Sequence, residues 1–272
     1  MPPTDDDLQK FEAQGPVPLP TATDYGYVGN DGAQISYSTY GSGEPVILLH
    51  GGLGHSGNWS YQVPALVAAG HRVVLIDSRG HGRSTRDSRP YTYELMASDV
   101  VAVMDALKIE KAAVVGWSDG ACIALILAMQ IPARIARVFY FACNMDPAGT
   151  KEVVWPNPVI ERCLSRHRKD YASLSATPDQ FDAFFAAIAL MMKTEPNYAA
   201  DELAQIRVPV VVAISERDEF IRLEHAQYLA RTIPGAQLLL LCGVTHFAPL
   251  QRPDQFNAVL QTFLAHDEPG FR

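Results

Sequence analysis

One serine flanked by glycines is the feature of this sequence that points most directly to chemistry. Ser118 is the central residue of a GWSDG segment (residues 116–120) between an apolar run, 112–115, and a helical stretch, 122–129. A serine at a sharp strand-to-helix turn exposes its hydroxyl at the carboxyl end of a sheet, and the glycines permit close backbone approach. The helix N-terminus also favours negative charge. We therefore predict that Ser118 is a nucleophile rather than part of a merely structural turn.

The base that such a serine needs is predicted to be His246. A serine hydroxyl is a poor nucleophile alone, and its base requires a third group that fixes the tautomer and stabilises the charged form. His246 follows the apolar run 238–241, just past the carboxyl end of a predicted strand. Its position after an acidic segment gives the chain order serine, acid, histidine.

The acid of this group is predicted to be Asp218. It directly follows the apolar run 208–214, within the segment Ser-Glu-Arg-Asp-Glu at residues 215–219. Glu216 and Glu219 in the same segment are weaker alternatives. Asp146 is another, because it also follows a predicted strand, 138–141.

Backbone N–H groups are predicted to form an oxyanion hole. Acyl transfer needs donors aimed at the developing negative charge, and backbone groups are already oriented. One donor is expected from Asp119, directly after the nucleophile, and the other from Gly52, with Leu53 next. Gly52 lies in an HGGLG segment (residues 50–54) that could also be an ordinary turn; it is not a phosphate-binding loop, because no Gly-Lys-Ser/Thr follows.

Cysteine and histidine positions indicate neither disulfide nor metal chemistry. The four cysteines, Cys122, Cys143, Cys163 and Cys242, form no CxxC pair and no disulfide framework, so reduced thiols are expected. The eight histidines show no ligand spacing with a matching third ligand, which argues against a zinc cluster. We expect no cofactor and no metal.

Strands and helices in alternation must position these residues. A leading antiparallel hairpin is predicted around the Asn-Asp-Gly turn at residues 30–32. The later apolar runs are typical of strands buried on both faces, and helices between most of them imply right-handed crossovers. The fold class is therefore α/β, with a mostly parallel, doubly wound sheet. We divide the chain into a loosely ordered leader (1–24), a core (25–143 and 207–272) and a helical cap insertion (144–206).

The cap insertion is expected to contact the substrate. An apolar stripe at helical spacing runs over residues 181–192 and either packs only on the core or also roofs a pocket. Phe184 and Ile188 of this stripe are predicted substrate-binding residues, together with Leu53, Trp117 and Asp119 of the core.

Composition limits the partners. Lysine and arginine number 22 and aspartate and glutamate 30, a formal net charge of −8 that disfavours nucleic acid. The acidic N-terminus lacks a signal peptide, and no apolar run reaches the roughly 18 residues of a membrane span. We expect a soluble, cytoplasmic protein whose partner is a small-molecule ester substrate. The oligomeric state stays open.

Five segments together resemble the α/β-hydrolase superfamily across about residues 25–266: HGGLG, DSRGHGRS (77–84), GWSDG, SERD (215–218) and GVTH (243–246). The resemblance implies the α/β-hydrolase fold with a small helical cap. GWSDG further resembles the valacyclovir hydrolase branch, which cleaves amino acid esters. There the aspartate after the serine is thought to bind the substrate's amino group, which would give this role to Asp119; alternatively, Asp119 contributes only its backbone N–H.

Together these expectations predict a serine hydrolase that cleaves a carboxylic ester through an acyl-enzyme, with amino acid esters among the candidate substrates. The same groups would also serve a lactonase, a carbon–carbon bond hydrolase or a perhydrolase. Branches with an aspartate nucleophile are excluded, because the turn carries serine. A sensor of small molecules that has kept the fold but turns over slowly or not at all is an alternative from another class.

Overall fold

One eight-stranded sheet runs through the protein, in the order β1-β2-β4-β3-β5-β6-β7-β8. The computed structural model describes residues 6–265. The strands are β1 (Asp24–Asn30), β2 (Ala33–Tyr40), β3 (Pro45–Leu49), β4 (Arg72–Ile76), β5 (Ala112–Trp117), β6 (Ile135–Phe141), β7 (Val210–Arg217) and β8 (Gln237–Thr245). β1 pairs antiparallel with β2, and β2 with β4, whereas all other pairs are parallel. The predicted mostly parallel sheet with a leading hairpin is confirmed.

Helices cover both faces of the sheet. They are α1 (Asp6–Gln14), α2 (Gln62–Ala68), α3 (Tyr93–Ala106), α4 (Asp119–Gln130), α5 (Pro158–Leu174), α6 (Phe181–Thr194), α7 (Ala200–Leu203), α8 (Leu223–Thr232), α9 (Ala248–Gln251) and α10 (Pro253–Ala265). Successive side chains of a strand point to opposite faces, so Ile47 and Leu49 of β3 join one core cluster, and Val46 and Leu48 join the other. Burial on both faces explains the continuous apolar runs.

The last strand departs from this pattern. β8 lies at the edge of the sheet, and Leu238 and Leu240 are each 41 % exposed. The strand also continues beyond the apolar run as far as Thr245, because its pairing with β7 resumes at Arg217 after a register shift. His246 therefore follows the strand directly.

The expectation of a loosely ordered leader is wrong for residues 6–14. These residues form α1, and Leu8 and Phe11 are buried in a core cluster. Their spacing of three places both side chains on one helix face, so burial of that face stabilises a helix that its polar composition would not. Residues 1–5 of the leader lie outside the described residues.

The segment between β6 and β7 contains α5, α6 and α7. α5 and α6 pack together through aromatic rings, with the Tyr171 and Phe184 rings stacked at 4.8 Å. The division of the chain into core and cap stays a prediction. Within residues 6–265, no helix has both the length and the apolar character needed to cross a bilayer.

Candidate active site

Ser118 lies at a strained turn between β5 and α4. Its backbone adopts φ 53° and ψ −125°, a conformation that residues with a side chain rarely adopt. Its N–H donates to the carbonyl of Phe141 at 2.8 Å, which fixes the turn to the neighbouring strand. Local strain of this kind persists only where the surrounding structure enforces it, and it is frequent at functional sites.

Close packing explains the two glycines of the turn. A Cβ on Gly116 would collide with the carbonyl oxygen of Gly120 and lie 2.5 Å from the amide nitrogen of Ala121. A Cβ on Gly120 would come within 2.8 Å of the His50 carbonyl oxygen. Since backbone atoms cannot rotate away as side chains do, this strand-to-helix turn requires glycine at both positions.

Asp218 and His246 form a buried pair at the ends of β7 and β8. The His246 Nδ1 lies 2.9 Å from Oδ2 of Asp218, and both residues are 4 % exposed. The other carboxylate oxygen of Asp218 accepts hydrogen bonds from the N–H groups of Phe220 and Ile221, at 2.9 and 2.8 Å. The carboxylate is thus held rigidly, and a neutral His246 ring carries its hydrogen on Nδ1, which leaves Nε2 free to accept a proton.

The pKa of His246 reflects two opposing effects. Burial alone would lower it, because the interior disfavours the charged ring. The Asp218 carboxylate opposes burial, and together with smaller contributions from Glu219 and Asp119 it outweighs burial, so the pKa is raised. The surroundings of the ring therefore stabilise an imidazolium.

The alternative acids make other contacts than Asp218 does. Asp146 caps a turn by accepting from the Ala148 N–H at 2.8 Å, and its second oxygen lies 3.6 Å from His225 Nδ1, not near His246. Glu216 accepts from the Gly243 N–H at 2.7 Å. Glu219 accepts from the backbone N–H of His246 at 3.0 Å, so it contacts the main chain of the histidine and not the ring.

The loop after β3 passes directly beside Ser118. A Cβ on Gly51 would lie 3.1 Å from the Ser118 Cβ. The loop is held by His50, whose Nε2 accepts from the Ser78 N–H at 3.0 Å and whose Nδ1 therefore donates to the Gly51 carbonyl at 2.8 Å. Leu53 takes a positive φ of 64°. Gly52 lies between Gly51 and Leu53 and faces the start of α4.

Asp119 is the first residue of α4, so its N–H has no partner within the helix. Its side chain is buried: Oδ1 accepts from the Tyr93 hydroxyl at 2.9 Å, whereas Oδ2 has no hydrogen-bond partner among the described residues. Burial raises the pKa of Asp119 to about 6, against the lowering effects of the Tyr93 hydrogen bond and of His246. A carboxylate left half satisfied beside a nucleophile is a candidate binding group.

A cavity of about 390 Å³ joins these groups. Ser118, Asp119 and His246 line it, and so do Gly52, Leu53, Trp117 and Ile188 from the predicted set. Phe184 is not part of the lining. Its ring packs against the His81 ring at 4.7 Å, and the next residue of α6, Phe185, faces the cavity instead.

Sequence reasoning missed several residues of the site. Tyr93, Lys151, Met192 and Phe220 all line the cavity. Lys151 donates to the backbone carbonyl of Asp218 at 2.7 Å, and the Phe220 ring lies edge-on to His246 at 4.8 Å. None of them belongs to a motif; the helical period of 181–192 is the one signal that includes Met192.

A serine at a strand-to-helix turn, with an aspartate and a histidine after later parallel strands, is the arrangement of an α/β-hydrolase. Comparison with known proteins agrees. A family model described as alpha/beta hydrolase fold matches residues 44–154. The putative carbamate hydrolase RutD of Caulobacter sp. (strain K31) is 31 % identical over 247 residues, covering 82 % of this chain and 92 % of that protein. The chain belongs to the alpha/beta hydrolase family, and it is a hydrolase.

Other relatives extend along most of the chain. The human serine hydrolase BPHL is 26 % identical over 251 residues, covering 87 % of this chain and 85 % of its own. Among solved structures, Est816, described as an N-acyl homoserine lactone degrading enzyme, matches with a TM-score of 0.75 at 28 % identity, over 88 % of this chain and all of that one.

Proposed function

We propose that this hydrolase cleaves a carboxylic ester of a small or medium-sized substrate through an acyl-enzyme on Ser118. The observation that carries the proposal is the buried Asp218–His246 pair, joined at 2.9 Å, whose histidine lines the same cavity as the strained Ser118. A nucleophile, a base and an orienting acid are the groups that acyl transfer requires.

In the proposed mechanism, Ser118 Oγ attacks the ester carbonyl while His246 Nε2 takes the hydroxyl proton. The N–H groups of Gly52 and Asp119 stabilise the negative oxygen of the tetrahedral intermediate. His246 then gives its proton to the departing alcohol oxygen, which leaves an acyl ester on Ser118. Water attacks this ester and gives a proton to His246. The proton then passes from His246 to Ser118 Oγ as the bond between this oxygen and the acyl carbon breaks, which releases the acid.

The Asp119 side chain supports a preference for substrates with an amino group near the carbonyl. Its Oδ2, which has no hydrogen-bond partner in the part of the chain that the structure describes, belongs to a carboxylate that lines the cavity beside Ser118. A protonated amine would satisfy this oxygen with a charge-assisted hydrogen bond. An amino acid ester brings such an amine to the reacting carbonyl, whereas an anionic substrate would be repelled.

Other reactions of the same groups are alternatives. The relatives above are named for carbamates and for N-acyl homoserine lactones, whose carbonyls are open to the same attack. Carbon–carbon bond hydrolysis and perhydrolysis would also use this serine. A non-catalytic sensor would bind ligand in the cavity without turnover.

The test is hydrolysis of a panel of p-nitrophenyl acyl esters and amino acid esters by wild type, Ser118→Ala and Asp119→Ala. Ser215→Ala is the matched control, because Ser215 is buried at the end of β7 outside the cavity lining. We expect Ser118→Ala to lose activity on every ester and the control to retain it. Activity retained by Ser118→Ala would exclude the mechanism, and no wild-type turnover on any ester would favour the sensor.

A further inference from the structure

Met192 and Asp119 meet above Gly52, although they come from α6 and from the start of α4. A Cβ built on Gly52 would collide with Met192 Cε and would lie 2.6 Å from Oδ2 of Asp119. The methionine methyl and the carboxylate oxygen are therefore neighbours over the same point of the loop. Both residues line the cavity.

This arrangement is chemically unfavourable for an ionised carboxylate. Oδ2 is buried and has no hydrogen-bond partner among the described residues, and the methionine methyl beside it cannot donate a hydrogen bond. Burying a charged oxygen without a donor costs free energy, which is the reason that the pKa of Asp119 is raised to about 6. Removing the methyl would give water or a ligand access to the oxygen.

We propose that Met192 is a movable cover over the Asp119 carboxylate and thereby a specificity-determining residue that selects between cationic and neutral substrates. This inference rests on the proposed binding of a substrate amine by Asp119. With the cover in place, the cavity presents an apolar surface beside Ser118. When the side chain turns away, Oδ2 is open to an ammonium group.

Methionine is suited to this role. Its unbranched chain has three rotatable side-chain bonds, so it changes conformation at low cost. Met192 is only partly buried, in contrast to its neighbour Met191, which is 3 % exposed. The end of α6 is fixed by Glu195, which accepts from the Tyr93 N–H at 3.1 Å. The movement we propose is therefore a rotation of the Met192 side chain and not a displacement of the helix.

The experiment uses two substrates that differ only in the amine, the benzyl esters of L-valine and of 3-methylbutanoic acid. At pH 7 the valine α-amino group is largely protonated. Met192→Ala removes the cover. Met192→Leu keeps most of the apolar volume but has no atom at the position of Cε. Leu190→Ala is the control, because Leu190 lies on the same helix, 62 % exposed and outside the cavity lining.

We expect Met192→Ala to raise kcat/KM for the valine ester about tenfold relative to the neutral ester, chiefly through KM, because a charge-assisted hydrogen bond forms without displacing the cover. Met192→Leu should change in the same direction by less, and Leu190→Ala should not change the ratio. The gain should disappear when Asp119→Asn is added. An equal change for both esters, or a gain that survives Asp119→Asn, would overturn the proposal.

A binding measurement separates this proposal from the proposed reaction. In a Ser118→Ala background, calorimetric titration with L-valinamide and with 3-methylbutanamide reports amine binding without turnover. Added Met192→Ala should tighten the cationic amide alone, also by about tenfold. If the wild type hydrolyses no ester but this shift occurs, the reaction is wrong and the cover is right. If hydrolysis depends on Ser118 but the two amides respond alike, the cover is wrong and the reaction is right.

Discussion

The hydroxyl of Tyr93 donates a hydrogen bond to Oδ1 of Asp119 at 2.9 Å. The same tyrosine begins α3, and its backbone N–H donates to Glu195 just after α6 at 3.1 Å. One residue thus connects the segment between β6 and β7 to the carboxylate beside Ser118. This contact orients Oδ1 and satisfies it with a donor. Oδ2 is therefore the oxygen of Asp119 that a ligand can still supply with a hydrogen bond.

Tyr93→Phe is expected to weaken recognition of cationic esters. The lost hydroxyl frees Oδ1 from its donor, so the pKa of Asp119 should rise further above about 6 and less of it is charged at neutral pH. We expect kcat/KM for amino acid esters to fall by about tenfold at pH 7, with little change for neutral esters. Steady-state kinetics on the two classes of ester measure this selectivity.

Tyr91→Phe is the matched control for this variant, since it removes another buried tyrosine hydroxyl near the start of α3. It should leave the ratio of the two esters unchanged. The pH dependence of the ratio adds a second check: in Tyr93→Phe the preference for the cation should appear only at higher pH. Equal losses on both esters would show that Tyr93 acts on Asp119 only through general packing.

Asp119→Asn is expected to stabilise the protein at high pH. The pKa of Asp119 is raised to about 6 in the folded state, above its ordinary value of 3.8. Between these values the folded state binds more protons than the unfolded state, so wild-type stability falls as pH rises through this window. The variant lacks this loss and should be more stable by about 3 kcal/mol at pH 8, with a smaller difference at pH 4.

Urea unfolding of the two proteins at pH 4 and pH 8 measures the difference. Asp146→Asn serves as the comparison, because it changes a carboxylate that lies outside the cavity lining. A gain in Asp119→Asn that is the same at both pH values would mean that titration of this carboxyl does not cause it.

The sequence predicts the sheet and the positions of Ser118, Asp218 and His246 along it, because burial on both faces leaves a strong apolar signal in the central strands β3 to β7. It does not predict how far β8 runs. Backbone pairing with β7 carries that strand through Cys242 and Gly243, and backbone hydrogen bonds leave little trace in side-chain type.

Contacts between distant segments are the part that the sequence does not reveal. Phe184 and Phe185 both belong to the apolar stripe of α6, and a rotation of about 100° between adjacent residues decides which faces the cavity. The contact of Tyr93 with Asp119 joins residues 26 positions apart without any shared motif. Leu8 and Phe11 show the same limit. Two apolar residues stabilise a polar helix only when they are buried against a core, and the sequence does not show that this burial occurs.

Gly116→Ala is expected to destabilise the fold strongly. Its Cβ would collide with the Gly120 carbonyl oxygen, and the turn at Ser118 would have to open. We expect a loss of about 3 kcal/mol in the free energy of unfolding, together with loss of ester hydrolysis. Gly29→Ala is the control, because Gly29 lies in edge strand β1 and its nearest neighbour would be a glutamine side-chain nitrogen at 3.3 Å. Similar denaturation midpoints for the two variants would contradict this prediction.

Asp218→Asn is expected both to lower the activity and to shift its pH dependence to lower pH. His246 acts as a base only when neutral, so wild-type activity should rise with pH through a pKa above 6.5. Burial lowers this pKa and the Asp218 carboxylate raises it, so removing the charge should move the rise to lower pH. The rate should fall roughly 10³-fold or more, because the imidazolium loses its stabilising partner and the ring loses its fixed tautomer.

Asp146→Asn should retain both the rate and the profile, since its carboxylate faces His225. A lower rate with an unshifted profile would place another acid beside His246, and kcat/KM against pH for the three proteins distinguishes the outcomes.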